Sequence, residues 1–285
     1  MTTNLELDFY SRPILDEKEK KLWEVLICDS HRNLEYAKFC HGSEANARWL
    51  ATALEEALSS FKEKDPDFIE PEKVRFFRRP MSTIISRACD TVNLNAQPSR
   101  RTFAIYTWLE ERHRSFYPEQ EGYQPLMPAP AAFEPATPQA LPQTLVGDGW
   151  GFVSLQKKDL EDIGEWPITF QDDIPPALRD LDDDTVIPGL VIYSKRAIPL
   201  AGWMNGFELG AIAFSKRPKA QLILETGISE RWIIANLSNS ALSKEAEAFE
   251  EQKQAANQLH FIAVQSDPNT ESFAGFWILQ ELLLV

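Results

Sequence analysis

Seven prolines fall between residues 118 and 148: Pro118, Pro125, Pro128, Pro130, Pro135, Pro138 and Pro142. Each removes a backbone donor and fixes φ, so no helix or strand ladder runs through such a stretch. Little periodic hydrophobicity accompanies them. The stretch reads as an extended linker and divides the 285-residue chain into bodies of ordinary domain size, 1–117 and 149–285.

The two sides differ in charge. Residues 1–117 hold 19 acidic and 18 basic side chains, whereas 118–285 hold 24 and 11. A chain at net −14 is poorly suited to gripping a polyanion indiscriminately. Any phosphate contact is therefore expected in the first half. A second loop-like stretch, 159–188, contains the acidic run "LRDLDDDT". It lacks the spacing and the glycine of a calcium loop and reads as solvated.

Both bodies show one order of elements. In the first, "LELDFYSRPIL", "KLWEVLICD" and "LEYAKFC" have strand character. "SEANARWLATALEEALSSF" has helical periodicity, with Ser43 as candidate N-cap. The strand "KVRFFRRP", a helix from Ser82 and a helix over "TFAIYTWLEERHR" follow. In the second, an extra strand "GLVIYSKR" leads into "FELGAIAFS", "AQLILET" and "RWIIANLS". A helix capped by Ser243, the strand "LHFIAVQ" and a last helix or strand, "SFAGFWILQELL", complete it. The expected fold class is α/β with mixed sheets: two related β-β-β-α-β units of loosely nuclease-like topology, without a complete catalytic site.

That topology invites a search for acids. In the restriction-type arrangement an acid ends one strand, and an acid and a lysine share a face of the next. Asp29 suits the first place, but Glu35 and Lys38 are three apart on a strand and point to opposite faces. The other architecture needs acids on the first strand, the helix and the fourth strand. Asp8 is present, but the fourth strand ends "RRP". Glu208, Glu247 or Glu250, and Asp267 form a second trio, on a helix acidic throughout. The expectation is of solvated carboxylates and no catalytic residues. Cys28, His31, Cys40 and His41 lack four-ligand zinc spacing, because Cys40 and His41 are adjacent on a strand. Phosphate-cradling glycine loops and serine nucleophile elbows are absent, so no metal and no cofactor is expected. Three cysteines and no export signal argue for reduced thiols in the compartment of synthesis, the cytoplasm. No apolar run is long enough to span a membrane.

Arginine and aromatics cluster instead. Lys73, Arg75, Arg78 and Arg79 surround Phe76 and Phe77, and Arg100 and Arg101 follow. Arginine contacts phosphate and exposed rings stack unpaired bases, a mixture suited to single-stranded RNA. The candidate contacts are Lys73, Arg75, Phe77, Arg78, Arg79, Arg100 and Arg101, with Tyr10 and Arg12 added from the first strand. The alternative is that these arginines pair with acids such as Glu110 and Glu111.

The stretches "ELDFYSRPILDEKEKKLWEVLICD" and "GFWILQ" together resemble a family of chloroplast and cyanobacterial proteins. That family is required for translation of photosystem I reaction-centre messages and is described as RNA-binding, with a preference for A/U-rich leader sequence. Its C-terminal Trp-Leu-Leu signature reads Trp277-Ile278-Leu279 here. The resemblance runs the full chain and implies a cyanobacterial cytosolic member, with plastid stroma as the place of its relatives. It implies single-stranded A/U-rich RNA as partner, and the ribosome or other translation and assembly factors as further partners. A competing expectation is an assembly factor that touches no RNA and docks through its acidic half and the "GFWILQELLLV" tail.

Overall fold

The computed structural model describes residues 4–125 and 136–282. The chain divides into two compact units, within residues 1–133 and 134–283.

The first unit opens with an antiparallel meander: β1 (Asn4–Leu15), β2 (Lys21–Asp29) and β3 (Glu35–His41). The β1–β2 turn is organised by Asp16, whose carboxylate accepts from the N–H groups of Lys18 and Lys20. Helix α1 (Ala47–Lys64) follows and buries Leu50, Leu54, Ala57 and Phe61 on one face, the i, i+4, i+7 pattern of an amphipathic helix. Its N-cap is Asn46 rather than Ser43. The Asn46 side chain accepts from Arg48 N–H and Trp49 N–H at 3.0 and 3.1 Å, one turn later than expected.

Strand β4 (Lys73–Phe76) then lies parallel to β1, as a helical crossover dictates. It is shorter than "KVRFFRRP" suggests. Pro80 has no N–H for a ladder, and the chain turns at Arg79–Met81 into α2 (Ser82–Thr91). Strand β5 (Ala96–Pro98) pairs with β4, and α3 (Phe103–Glu111) ends in a widened π-turn at Arg112–Phe116. The sheet order is β3-β2-β1-β4-β5.

Part of the proline-rich stretch packs back on this unit. Leu15 N–H donates to Gly122 O, and Gln124 N–H donates to Pro13 O, both at 2.9 Å. Residues 139–140 belong to the second unit's sheet. The intervening linker residues 126–135 lie outside the described residues.

The second unit repeats the element order but not the sheet. Its strands are β6 (Gln139–Ala140), β7 (Gly149–Gln156), β8 (Ile168–Phe170) and β9 (Val186–Tyr193). Helix α4 (Ala197–Asn205) leads to a meander of β10 (Leu209–Ser215), β11 (Gln221–Thr226) and β12 (Glu230–Asn236). Helix α5 (Ser240–Ala255), β13 (Leu259–Gln265) and β14 (Phe273–Gln280) complete it. Asn239 caps α5 by accepting from Leu242 N–H, so the helix starts a turn before Ser243. The loop-like stretch 159–188 contains β8 and the start of β9.

Two sheets result among the described residues, β10-β11-β12-β6 and β7-β9-β13-β14-β8. The expected single mixed sheet is not formed. Strand β13 is already paired on both edges, by β9 and β14, and has no ladder left for β10. Side chains close that gap. Ile212 N–H donates to His260 Nε2 at 2.8 Å, and Lys253 Nζ donates to Ile212 O at 2.9 Å. Phe214 N–H donates to a Glu250 carboxylate oxygen. Buried backbone groups must be paired, and here imidazole, ammonium and carboxylate replace a neighbouring strand.

The last element is a strand, and Trp277, Ile278 and Leu279 are 2, 3 and 0% exposed. Trp277 and Leu279 face one core and Ile278 the other. Residues 276–279 are therefore interior rather than a docking surface, Gln280, Glu281 and Leu282 are half-buried, and residues 283–285 lie outside the described residues. The large indole burial outweighs any role at the surface.

Candidate nucleic-acid interface

Parallel pairing of β1, β4 and β5 brings most of the candidate residues together. Leu7 lies opposite Phe76, and Phe76 opposite Pro98. Beyond those positions the chain carries Tyr10 and Arg12 from β1, Arg78 and Arg79 from β4, and Arg100 and Arg101 from β5. All six gather at the C-terminal edge of the parallel strands, where open α/β sheets bind ligands. Lys73 starts β4 opposite Asn4 and lies at the other end.

Alternation along β1 sends Glu6, Asp8, Tyr10 and Arg12 to one face, and β2 adds Glu24 opposite Tyr10. These carboxylates are not solvated. Glu6, Asp8 and Glu24 are 2, 0 and 0% exposed. Asp8 lies between Arg12 Nη2 at 2.7 Å and Arg78 Nε at 2.8 Å. Glu24 receives Arg12 Nε at 2.9 Å, the Tyr117 hydroxyl at 2.6 Å and Arg112. Glu6 accepts Ile105 N–H at 2.9 Å and so anchors α3. Burial alone would raise the Asp8 carboxyl; Arg78 and Arg12 overcome it and hold the group below the ordinary carboxylate range. Burial raises the Tyr117 hydroxyl, against the pull of Arg12 and with the push of Glu24.

Several candidate contacts are thereby corrected. Arg12, Arg75, Arg78 and Arg101 are buried at 2, 2, 7 and 1% exposure, and Phe77 is core beside Ile105 and Trp108. A guanidinium buried this deeply needs carboxylate partners, and Asp8 and Glu24 supply them to Arg12 and Arg78. Arg79 is exposed, while Tyr10, Lys73 and Arg100 are partly exposed. The outer layer is tied to the inner one: the Arg78 guanidinium lies 4.6 Å from the Tyr10 ring centre. Helix α2 begins at this edge with no side-chain cap and adds the positive end of its dipole.

His113 belongs to the same surface and was not singled out from sequence. It is exposed and stands edge-on to Tyr117 with ring centres 5.0 Å apart. Although the residue as a whole is exposed, the side of its ring turned toward Tyr117 is shielded from water, and that partial desolvation, with Arg12 and Arg78 nearby, lowers its pKa against a weaker upward pull from Asp8. The sequence signal was the "ERHR" run at the end of α3, whose π-turn turns that run toward β1.

As chemistry, the arrangement presents positive charge and a ring, not a cation site. A carboxylate clamped by two guanidiniums has little left to offer a divalent ion, and β4 is followed by Arg78 and Arg79 where an acid would be needed. The second trio does not converge either. Glu250 binds Phe214 N–H and Lys253, Glu247 pairs with Lys216, and Asp267 caps its own loop at Asn269 and Thr270. Cys28, Cys40 and Cys89 are buried free thiols, while His31 is exposed and His41 pairs with Asp16. Among the described residues no group of three or more histidine, cysteine or acidic side chains is placed to hold a metal.

Fold and site together define a two-unit α/β protein whose first sheet gathers arginines at one edge. Residues 5–112 match the N-terminal domain, and residues 128–280 the C-terminal domain, of the Tab2/Atab2 RNA-binding proteins. The chain is 38% identical to the chloroplastic TAB2 homologue of Zea mays, over 97% of this chain and 71% of that protein. It is 36% identical to the corresponding protein of Arabidopsis thaliana, over 97% of this chain and 74% of that one. The chain belongs to the Tab2/Atab2 RNA-binding family. Among solved structures, the catalytic domain of the Mos1 mariner transposase is similar at a TM-score of 0.31 and 14% identity, covering 42% of this chain and 63% of that one. A chain of a simian T-cell lymphotropic virus intasome gives a TM-score of 0.25 at 15% identity, covering 41% of this chain and 43% of that one. Neither likeness is strong enough to bear on activity. No described helix is long and apolar enough to cross a membrane.

Proposed function

We propose that this protein binds single-stranded, A/U-rich leader RNA and acts without catalysis in translation of photosystem reaction-centre messages. What supports the RNA contact is the parallel register of β1, β4 and β5, which carries Tyr10, Arg79 and Arg100 beyond the same end of the sheet, with Tyr10 held over the buried Arg78. Arg79 and Arg100 meet phosphates, Tyr10 stacks a base, and His113 borders the same surface. The buried pairs Asp8–Arg12 and Asp8–Arg78 position this surface and do not touch the RNA. The setting is the cytosol of a cyanobacterium or the equivalent plastid stroma, with translation or assembly factors as further partners.

The test is titration of labelled A/U-rich single-stranded RNA against the purified chain at two salt concentrations, with and without magnesium. Each lost phosphate contact lowers the salt slope by roughly 0.7 for a single strand, so Arg79→Glu with Arg100→Glu is expected to reduce it by about 1.4. Unchanged affinity and slope would remove this edge from the interface. Cleavage that appears with magnesium would overturn the non-catalytic reading.

A further inference from the structure

We propose that a groove on the five-stranded sheet of the second unit, beside the segment 157–185 that covers part of this face, is a docking site for a basic, apolar segment of a partner protein. The groove has a volume of about 500 Å³ and crosses β7, β9, β13 and β14. Val153, Trp166, Tyr193, Phe261, Phe273 and Phe276 line it. Trp166 stacks on Phe273 with ring centres 5.7 Å apart and meets Phe276 edge-on at 5.4 Å. The groove therefore has a preformed aromatic wall and needs no rearrangement to receive apolar side chains.

Its charge selects the partner. The segment 157–185, which supplies Trp166 and β8, holds ten carboxylates against three basic residues. Two of those three are already engaged: Lys157 with Asp183 at 2.6 Å and Lys158 with Asp184 at 3.1 Å. Glu271, exposed, lines the groove itself. An apolar floor with Glu271 on its lining, beside a segment of predominantly negative sign, complements lysine and arginine flanking apolar residues and disfavours phosphate. Four strands at about 4.8 Å spacing span roughly 14 Å, room for about four extended residues. The occupant is a polypeptide with a short apolar centre and basic flanks. The groove lies in the acidic second unit and the proposed RNA-binding residues in the near-neutral first, so substitutions can address the two separately.

The experiment uses the full chain and a fluorescein-labelled peptide of four apolar residues, Leu-Phe-Val-Leu, flanked on each side by arginines. A second peptide carries glutamates in place of the arginines. Anisotropy titration is expected to show saturable binding of the basic peptide and at least tenfold weaker binding of the acidic one. Val153→Arg and, separately, Glu271→Lys are each expected to weaken the basic peptide several-fold, with unchanged near-UV circular dichroism and unchanged RNA affinity. Equal binding of the two peptides, no binding of the basic one, or indifference to both substitutions would overturn the proposal. Displacement of the peptide by the RNA oligonucleotide would also overturn it, by placing nucleic acid in the groove.

Discussion

His260 provides a pH dependence that can be worked from its surroundings. The side chain is fully buried on β13 and takes the place of a missing strand: its Nε2 accepts Ile212 N–H, and its Nδ1 lies 2.9 Å from Gln258 O. Only the neutral ring with its proton on Nδ1 satisfies both. Burial, with the Lys253 ammonium beside it, lowers its pKa to about 3, against a weaker upward pull from the Gln258 carbonyl. The unfolded chain titrates near 6.5 and binds the proton first, so stability is full at neutral pH and is lost as pH falls from about 6.5 toward 3. Between about pH 7 and pH 4.5 the linkage amounts to about 2.5–3 kcal/mol. Glu250 and Glu281 hold Lys253 Nζ at 2.8 and 2.6 Å, and both pairs are kept in the His260→Gln variant. His260→Gln removes only the imidazole and keeps an acceptor for Ile212. Urea unfolding of both proteins at the two pH values isolates the effect: the wild type is expected to lose about 2.5–3 kcal/mol more than the variant. Equal losses, or a His260 ring-proton resonance that titrates near neutrality, would refute the reasoning.

Other expectations follow from single contacts. Arg12→Ala leaves buried Asp8 with Arg78 alone and Glu24 with Arg112 and Tyr117, and is expected to cost about 3 kcal/mol in thermal or urea unfolding of the first unit, whereas exposed Arg79→Ala is expected to cost under about 0.5 kcal/mol. A Cβ at Gly275 would meet the Trp277 ring at 2.1 Å, so Gly275→Ala is expected to destabilise the second unit by about 1–3 kcal/mol, read by calorimetry. Burial pushes the Cys40 thiol up to about 11 and the Cys89 thiol up to about 12, with a smaller upward push from Glu44 and Asp90 respectively. Both are therefore expected to react with Ellman's reagent far more slowly in the native protein than in urea; rapid native labelling of either would contradict that.

The fold was legible where local patterns decide it. The strands Lys21–Asp29 and Leu259–Gln265 begin and end where "KLWEVLICD" and "LHFIAVQ" do, because each is bounded by turn residues and filled with β-formers. Strand β7 was missed: three of its eight residues, "GWGFVSLQ", are glycine or serine, and it follows the proline-rich stretch directly. The division of the second unit into two sheets was not readable at all. Strand pairing is a tertiary choice: β13 pairs with its chain neighbour β14 on one edge and, through contacts distant in sequence, with β9 on the other. What sequence offered in hindsight was Lys253 and His260, two polar residues on otherwise apolar faces, which mark the seam where backbone groups needed side-chain partners.

The candidate interface was legible as a cluster but not as a surface. Composition and spacing placed arginine and aromatic residues at the ends of β1, β4 and β5, and parallel register does bring them to one edge. Alternation cannot say which face is covered, and here α3 and its π-turn cover the face that holds Asp8, Arg12 and Glu24. Local spacing marks only Arg12 as an inner arginine, through Asp8 four residues before it; the burial of Arg78 depends on the same Asp8 reached 70 residues away in sequence. Acids and arginines in the opening hairpin thus answer one another. The carboxylates that first suggested catalysis are the counter-charges that let Arg12 and Arg78 sit inside, and Arg78 in turn carries the Tyr10 ring. Removing an inner arginine should therefore loosen the edge and weaken RNA binding together with stability, while removing Arg79 should weaken RNA binding alone.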